Sequence, residues 1–401
     1  MNTPRYVYLD YAATTPMDPR VIEVMNEHFI NSYGNSSSLH SIGQRAAQTL
    51  VKSRETVASL INAKKDEIIF TSSGTEADNI AILGVALKNQ NRGKHIITSA
   101  LEHHAVENTC KSLKKRGFNT TFLPVDKYGL INLRELEDMI TNETTLISIM
   151  FANNEIGTIE PIKEIGEIAK EHDVIFHTDA VQAFGKIPIN VDEMNIDLLS
   201  ASAHKLYGPK GVGILYIKNK GIREGWGKYI EPIMFGGGHE RDMRPSTVNV
   251  PGIAGFAKAA EIAKNEMTKE IEIQTKYRDK IIKNVLEKIT DSYLNGHPTK
   301  RLPNNVNLGI RFIEGESIVL DLDSEGIAAS TGSACSSKSL DPSHVLLAIG
   351  LKPQEAHGSL RVTVGWFTTD DDVEYFLEKL PPIIDRLRKM SPLKSLSLIH
   401  I

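Results

Sequence analysis

The sequence predicts an α/β fold, with a large domain built on a mainly parallel sheet and a smaller α+β domain beside it. Three observations carry that expectation. Through the first two-thirds of the chain, short β-rich runs alternate with helix-like stretches, the order that builds a parallel sheet. Several runs are nearly continuous in Val, Ile and Leu rather than alternating, which suits strands covered on both faces. After about residue 252 the texture changes to one long amphipathic, charge-rich stretch and then a fresh set of strand and helix patterns.

Taken in order, Asp18 caps a first helix with Pro19 at its opening position, and Val21, Val24, Met25 and Phe29 mark its apolar side. "DEIIFTSS" reads as a strand and "TEADNIAILGVAL" as the helix after it. Further strands are expected at "KHIITSA", "NTTFLPV", "TTLISIMFA", "DVIFHTDA" and "IDLLSASA", with helices such as "IKEIGEIAKEHD" between them. The stretch from "GIAGFAKAAEIAK" to "NVLEKI" reads as one long linking helix. Beyond it come strands at "NNVNLGIRF" and "SLRVTVGWF", a helix at "GESIVLDLDSEG" and a last helix from Asp370. The division expected is 16–255 for the large domain, with 1–15 and 256–401 making the small one.

Composition narrows the function. With 401 residues, 41% hydrophobic and 24% charged, the chain is an ordinary globular protein with room for two cores. A formal charge of −4 argues against a nucleic-acid binder, which would carry a basic surplus. Two cysteines far apart make no disulfide framework, so a reducing cytosol is the natural compartment. The start, "MNTPRYVYLDYAATTP", lacks the pattern of a signal peptide, and no apolar run is long enough to span a bilayer. The expectation is a cytoplasmic protein without a membrane partner.

Chemistry gathers at the ends of the expected strands. In "SASAHKLYGPKG", Lys205 follows a strand and precedes a Gly-Pro turn, with His204 beside it and the small residues Ser200, Ser202 and Ala203 leaving room for a bound ring. The plain reading is a solvated loop lysine; the other is a Schiff-base lysine for a carbonyl cofactor. Asp179 in "HTDAVQ" ends a buried strand, where a carboxylate is costly without a cation. It is either a helix N-cap or the partner of a protonated pyridine nitrogen, as pyridoxal phosphate would supply. "FTSSGTEADN" sets Gly74 and Thr75 at a strand-to-helix turn, where free amides and the helix dipole attract phosphate, although the Gly-Lys-Ser/Thr ending of a P-loop is absent. His103 and His104 in "LEHHAVEN" follow another strand, where an imidazole can stack on a ring and move protons. A metal site with His177, His204 or His239 competes with that reading, without a compact His-Glu-x-x-His pattern to support it. Asn153 and Asn154 in "FANNEIG" are ligand-binding or plain turn asparagines. "STGSACSS" places Cys335 among small hydroxylated residues, where a thiol is reached by solvent rather than buried. Cys110, the other cysteine, lies near the end of an expected helix and reads as structural. The strand-end candidates share one edge of an open α/β sheet, where ligands bind.

With "YLDYAATTP", "TSSGTEADN", "EHHAV", "NNEIGT", "DAVQ", "SAHKLYGPKG", "GGGHERDMRPST", "STGSACSS" and "SLRVTVG" in order, essentially the whole chain resembles cysteine desulfurases of the iron–sulfur assembly type. These form part of the class V aminotransferase group of fold-type-I pyridoxal-phosphate enzymes. The resemblance implies that Lys205 carries pyridoxal 5'-phosphate covalently, that Asp179 pairs with its ring nitrogen and Gln182 with its ring hydroxyl. It implies that His103 stacks on the ring with Asn154 beside it, and that Gly74, Thr75, Ser202 and His204 hold the phosphate. Thr247 would reach that phosphate from the other subunit of a homodimer. Arg361 would clamp the carboxylate of L-cysteine, and Cys335 would take its sulfur as a persulfide, leaving L-alanine. The implied sulfur acceptor is an iron–sulfur scaffold protein, and the resemblance extends to Cys335 as a shared ligand of a nascent cluster.

Two positions depart from the family pattern. Arg244, Pro245, Ser246 and Thr247 stand where Arg-Ser-Gly-Thr is common, which puts the reach of Thr247 in question, and Trp366 stands where arginine is frequent. The alternatives are a selenocysteine lyase or a small-amino-acid aminotransferase on the same cofactor, and a non-catalytic subunit of a sulfur-transfer assembly. Cys335 disfavours the aminotransferase, and Lys205, Asp179, His103 and Cys335 together disfavour the idle subunit.

Overall fold

The computed structural model describes residues 5–219, 229–332 and 341–392. The strands are β1 (Val7–Tyr8), β2 (Ile68–Thr71), β3 (His95–Ser99), β4 (Asn119–Leu123), β5 (Thr144–Ser148), β6 (Ile175–Asp179), β7 (Leu198–Ser202), β8 (Gly213–Ile217), β9 (Ser292–Leu294), β10 (Asn305–Ile310), β11 (Ile327–Ala328) and β12 (Ser359–Thr363). The helices are α1 (Pro19–Ile30), α2 (Ser41–Ser59), α3 (Gly74–Asn89), α4 (His104–Leu113), α5 (Leu133–Asp138), α6 (Ile162–Glu171), α7 (Val250–Lys288), α8 (Gly315–Ser324), α9 (His344–Ala348), α10 (Pro353–His357) and α11 (Asp370–Met390).

Seven strands form one sheet in the order β2-β8-β7-β6-β5-β3-β4. All run in one direction except β8, which is antiparallel to both neighbours. The mainly parallel α/β fold is therefore as expected. The continuous apolar runs have the anticipated cause, since successive strand residues feed opposite faces. Phe70, Ile97, Ile147, Phe176 and Leu199 enter one buried cluster, with Phe184 and Phe256. Their neighbours Ile69, Ile96, Leu146, Ile175 and Leu198 enter another, with α3 and α4. Cys110 lies in this second cluster, and burial pushes its thiol up to about 12, so it stays an inert packing residue. β8 is a strand that the sequence reading passed over. Its short run "GILYI" follows the Gly-Pro turn and returns antiparallel from β7, breaking the β-α alternation that identified the others.

A third cluster gathers Val7 and Leu9 with Tyr277, Ile281 and Val285 of α7, the β10 and β12 strands, α8 and α11. Here β12, β10 and β9 make an antiparallel sheet, and β1 pairs with β11. The single helix α7 joins the two regions, with Phe256, Ala260 and Ala263 in the larger core. The N-terminal residues Val7 and Leu9 pack into this smaller cluster, while the start of α7, past residue 255, packs into the larger one.

At α1, Asp18 is the N-cap and accepts from the Arg20 N–H at 2.8 Å, with Pro19 first in the helix. Val21 is fully buried and Met25 packs close to Gly255 of α7. Phe29 departs from the expected apolar side: it is 57% exposed, because α1 meets α7 through its first turns. Among the described residues, no helix is long and apolar enough to cross a membrane.

A buried carboxyl remote from the strand-end residues sets a pH dependence. Glu160 accepts from the Ile131 N–H at 3.2 Å, and burial pushes its carboxyl up to about 8. A folded-state value above the unfolded one gives stability that is full at low pH and lost as pH rises through about 8. Each pH unit crossed between the two values removes about 1.4 kcal/mol. Glu160→Gln is expected to flatten the fall in unfolding temperature between about pH 5 and pH 8. An unchanged slope by calorimetry would show that this carboxyl is already ionised in the folded protein.

Candidate active site

A cavity of about 380 Å³ opens at the sheet edge where the parallel strands end. Gly74 and Thr75 follow β2, His103 follows β3 and Asn154 follows β5. Asp179 ends β6 with Gln182 just beyond, and Ser202 ends β7 with His204 and Lys205 just beyond. Arg361 reaches the same cavity from β12 of the smaller lobe. The structure thus brings together Gly74, Thr75, His103, His104, Asn154, Asp179, Gln182, Ser202, His204 and Lys205 but not Asn153, and adds Asp78, Glu155, Gly332 and His344.

Lys205 sits in the loop from β7 to β8, and its Nζ donates to the carbonyls of Ala12 and Ala13, each at 2.6 Å. The N-terminal "AATT" segment is therefore a wall of the site, a role that the sequence alone did not reveal. It is fastened by Thr15, whose N–H and hydroxyl donate to the His204 carbonyl. The His204 ring meets the Thr14 hydroxyl at 3.1 Å. Burial, with Lys205, Lys210 and Lys186 nearby, lowers His204 to about 4, so it is neutral at ordinary pH.

Asp179 is buried and accepts from the Val181 N–H at 2.9 Å without starting a helix, so the capping alternative falls away. Burial raises its carboxyl, while His103 and Lys205 pull the other way. Asp78 on α3 is also buried, raised by burial and by Asp179, and its Oδ1 accepts no hydrogen bond. Two carboxylates share one dry place, and among the described residues no lysine or arginine pairs with either at salt-bridge distance. Behind them His177 bridges Ser148 at 2.9 Å and Ser200 at 3.0 Å. Burial holds it down to about 3, neutral and structural.

His103 is the N-cap of α4: its Nδ1 accepts the Ala105 N–H at 3.1 Å. Burial lowers its basicity, so the ring is neutral and its proton resides on Nε2. Gln182 donates from Nε2 to the Ala12 carbonyl at 3.0 Å and accepts at Oε1 from Lys186 at 3.0 Å, which fixes its amide and leaves a second N–H. Lys186, pushed down to about 7 by burial, was not anticipated in the sequence.

Gly74 and Thr75 open α3, ahead of its first turn bond from Ala77 to Ser73, so their amides point free from the helix start. Gly74 serves close approach rather than turn geometry: a Cβ there would lie 2.6 Å from Val181 Cγ2. Arg361 donates to Asp10 Oδ1 at 2.9 Å and to the Asn154 carbonyl at 3.1 Å, while its buried Nε has no acceptor. Asn153 proves to be the plain turn asparagine, accepting from the Glu155 and Ile156 amides. Glu155 receives the Ser343 hydroxyl at 2.5 Å and lies 2.7 Å from where a Gly332 Cβ would stand. Glu155 is thus bonded to Ser343 and closely approached by Gly332, on either side of the segment that includes Cys335 in sequence. Cys335 itself lies outside the described residues.

Thr247 is exposed and does not line its own chain's cavity. The departure beside it has a physical reading: Ser246, where the family has glycine, has φ +109°, the backbone region glycine favours. The chain keeps the glycine-like path and accepts the strain. Trp366 stacks on Tyr207 with ring centroids 3.9 Å apart, so the frequent arginine is replaced by a packing residue. The rival metal site is not formed: among the described residues, none of His177, His204 and His239 joins a group of three ligands close enough for an ion.

The aminotransferase class-V family model matches residues 7–376. A cysteine desulfurase IscS from Dictyoglomus turgidum is 53% identical over 390 residues, covering 97% of each chain. Among solved structures, a NifS-like protein aligns with a TM-score of 0.88 at 37% identity, covering 96% of this chain and all of its own. A structure described as SspA in complex with cysteine aligns with a TM-score of 0.79 at 38% identity, covering 90% of this chain and all of the other.

Proposed function

The chain belongs to the class-V aminotransferases, and on that premise we propose the work of its cavity residue by residue. It is a pyridoxal-phosphate-dependent cysteine desulfurase, converting L-cysteine to L-alanine and passing the sulfur to iron–sulfur assembly. The observation that carries the site assignment is the convergence of Lys205, Asp179, His103 and Arg361 on one cavity from four separate elements.

The residues fit the cofactor. A protonated ring nitrogen would give Asp179, and Asp78 behind it, a cation at hydrogen-bond distance. The free amides of Gly74 and Thr75, with Ser202 and neutral His204, suit a phosphate at a helix start, and the close approach of Val181 leaves no room for a side chain at position 74. The remaining Gln182 N–H suits a ring hydroxyl, and Lys205 is the lysine for covalent attachment. When bound, the cofactor supplies an electron sink for the substrate's α-carbon.

This chain's own groups do the rest. Arg361 binds the substrate carboxylate, and its unsatisfied Nε gives a buried carboxylate reason to sit there. Lys205 takes the α-proton, and His103 holds a proton on Nε2 to give within the cavity. The Cys335 sulfur bonds to the substrate sulfur as the carbon–sulfur bond breaks, so Cys335 gains one sulfur atom and the substrate leaves as alanine. That persulfide then passes to a scaffold protein, and Cys335 is also the residue we assign to a shared cluster. Glu155 accepts the Ser343 hydroxyl, a fixed point downstream of Cys335 in the sequence.

The working form we assign is a cytoplasmic homodimer, with Thr247 completing the partner's phosphate site. Supporting it, Ile22, Phe29 and Ile30 of α1, with Tyr33 and Leu39 after it, are exposed, an apolar surface more typical of an interface than of a free monomer.

Arg361→Gln tests the substrate assignment. It is expected to raise KM for L-cysteine at least tenfold, since truncating one side of a buried charge pair costs about 2–5 kcal/mol. Cofactor absorption should be retained. An unchanged KM, measured from alanine formation, would remove Arg361 from substrate recognition.

A further inference from the structure

Beside the cavity, and unused by the chemistry above, His104 and Glu107 of α4 face His344, the first residue of α9. One ligand atom from each lies within 4.8 Å of the others. Both histidines also line the cavity, with ring centroids 4.9 Å apart. We propose that His104, Glu107 and His344 form a three-ligand site for a divalent transition metal at the rim of the cavity.

The donor set is two imidazoles and one carboxylate, a set that takes Zn²⁺ or Fe²⁺ and leaves further positions open. A separate observation points the same way. His344 Nε2 is 3.0 Å from the Glu102 carbonyl, so that nitrogen carries the proton and Nδ1 keeps its lone pair. An outward imidazole nitrogen donating to a backbone carbonyl is the outer support that metal-ligating histidines ordinarily have. On the other helix, His104 Nδ1 is 2.9 Å from Glu107 Oε2, a spacing near that of two ligand atoms on one ion, with Nε2 left to carry the ring proton.

Two adjustments are needed. Ligands on a tetrahedral ion stand ~3.3 Å apart, given bonds of ~2.0–2.1 Å, so the side chains must close in slightly. Lys111 must also release Glu107, with which it pairs one turn along α4. Its side chain is 56% exposed, so release into water costs little. Lys111 is the built-in competitor for the ion.

Cobalt(II) is the probe, because a low-coordinate Co²⁺ site absorbs visibly far more strongly than the aqua ion and at longer wavelength than the cofactor. The holoenzyme carrying Cys335→Ser is titrated, so that the reactive thiol cannot supply the signal. The expected result is a strong spectrum saturating at about one Co²⁺ per chain, displaced by Zn²⁺. Glu107→Gln and His344→Gln should each weaken binding by more than about tenfold, the least that losing even an outer partner produces. Lys111→Ala should tighten it several-fold, and that variant keeps the test sound if His344→Gln fails to fold. Only the aqua-ion spectrum in the Cys335→Ser protein would overturn the site. So would affinity unchanged by Glu107→Gln and Lys111→Ala.

Discussion

Lys205→Ala will lower alanine formation from L-cysteine by about four orders of magnitude or more, because one residue is lost from two tasks. We propose it both as the point of covalent attachment and as the base for the α-proton. The protein should still fold, since Lys205 Nζ bonds to the carbonyls of Ala12 and Ala13 rather than to the core. Purified Lys205→Ala should therefore show native circular dichroism with altered cofactor absorption. Retention of wild-type turnover would mean that another lysine, Lys186 beside Gln182 for example, carries the cofactor.

Cys335→Ala will separate cofactor chemistry from sulfur transfer. The substituted protein should bind cofactor and L-cysteine as the wild type does, with unchanged spectra on mixing. Alanine formation should fall by ~10³-fold or more, the scale on which a lost nucleophile costs. Unaltered turnover would assign the sulfur acceptor to free thiols in solution. Cys110 offers no substitute, being buried with its thiol pushed up to about 12.

How far the sequence alone reaches depends on whether a feature is local. The apolar runs of β2, β3, β5, β6 and β7 were legible because burial on both faces imposes composition directly on a short segment. From those strands followed the site, since one sheet edge collects residues distant in sequence. β8 was illegible because an antiparallel return obeys no β-α rhythm. Phe29 misled because periodicity marks an apolar face without showing what covers it. The partners were harder still. Nothing local announces that Asp78 stands unsatisfied behind Asp179, or that Glu155 reaches both Ser343 and Gly332. The carbonyls of Ala12 and Ala13 hold Lys205 through backbone atoms that every residue possesses, so no side-chain pattern could reveal them.

The two departures from the family pattern show how a substitution is absorbed. Ser246 keeps a backbone conformation that glycine would adopt freely, at a cost of about 1–3 kcal/mol. The path to Thr247 is thereby preserved. Trp366 exchanges a charge for a stacked ring, with its N–H also bonded to the Tyr207 hydroxyl at 2.8 Å. Neither position touches the cavity.

The central claim is that one sulfur atom moves from L-cysteine to Cys335 as one alanine is made. A single turnover with sulfur-labelled L-cysteine, quenched by acid and analysed by peptide mass, measures both products together. The expected result is label on the peptide containing Cys335, as one added sulfur atom, with an equal amount of alanine. Alanine without label on that peptide, or label without alanine, would contradict it.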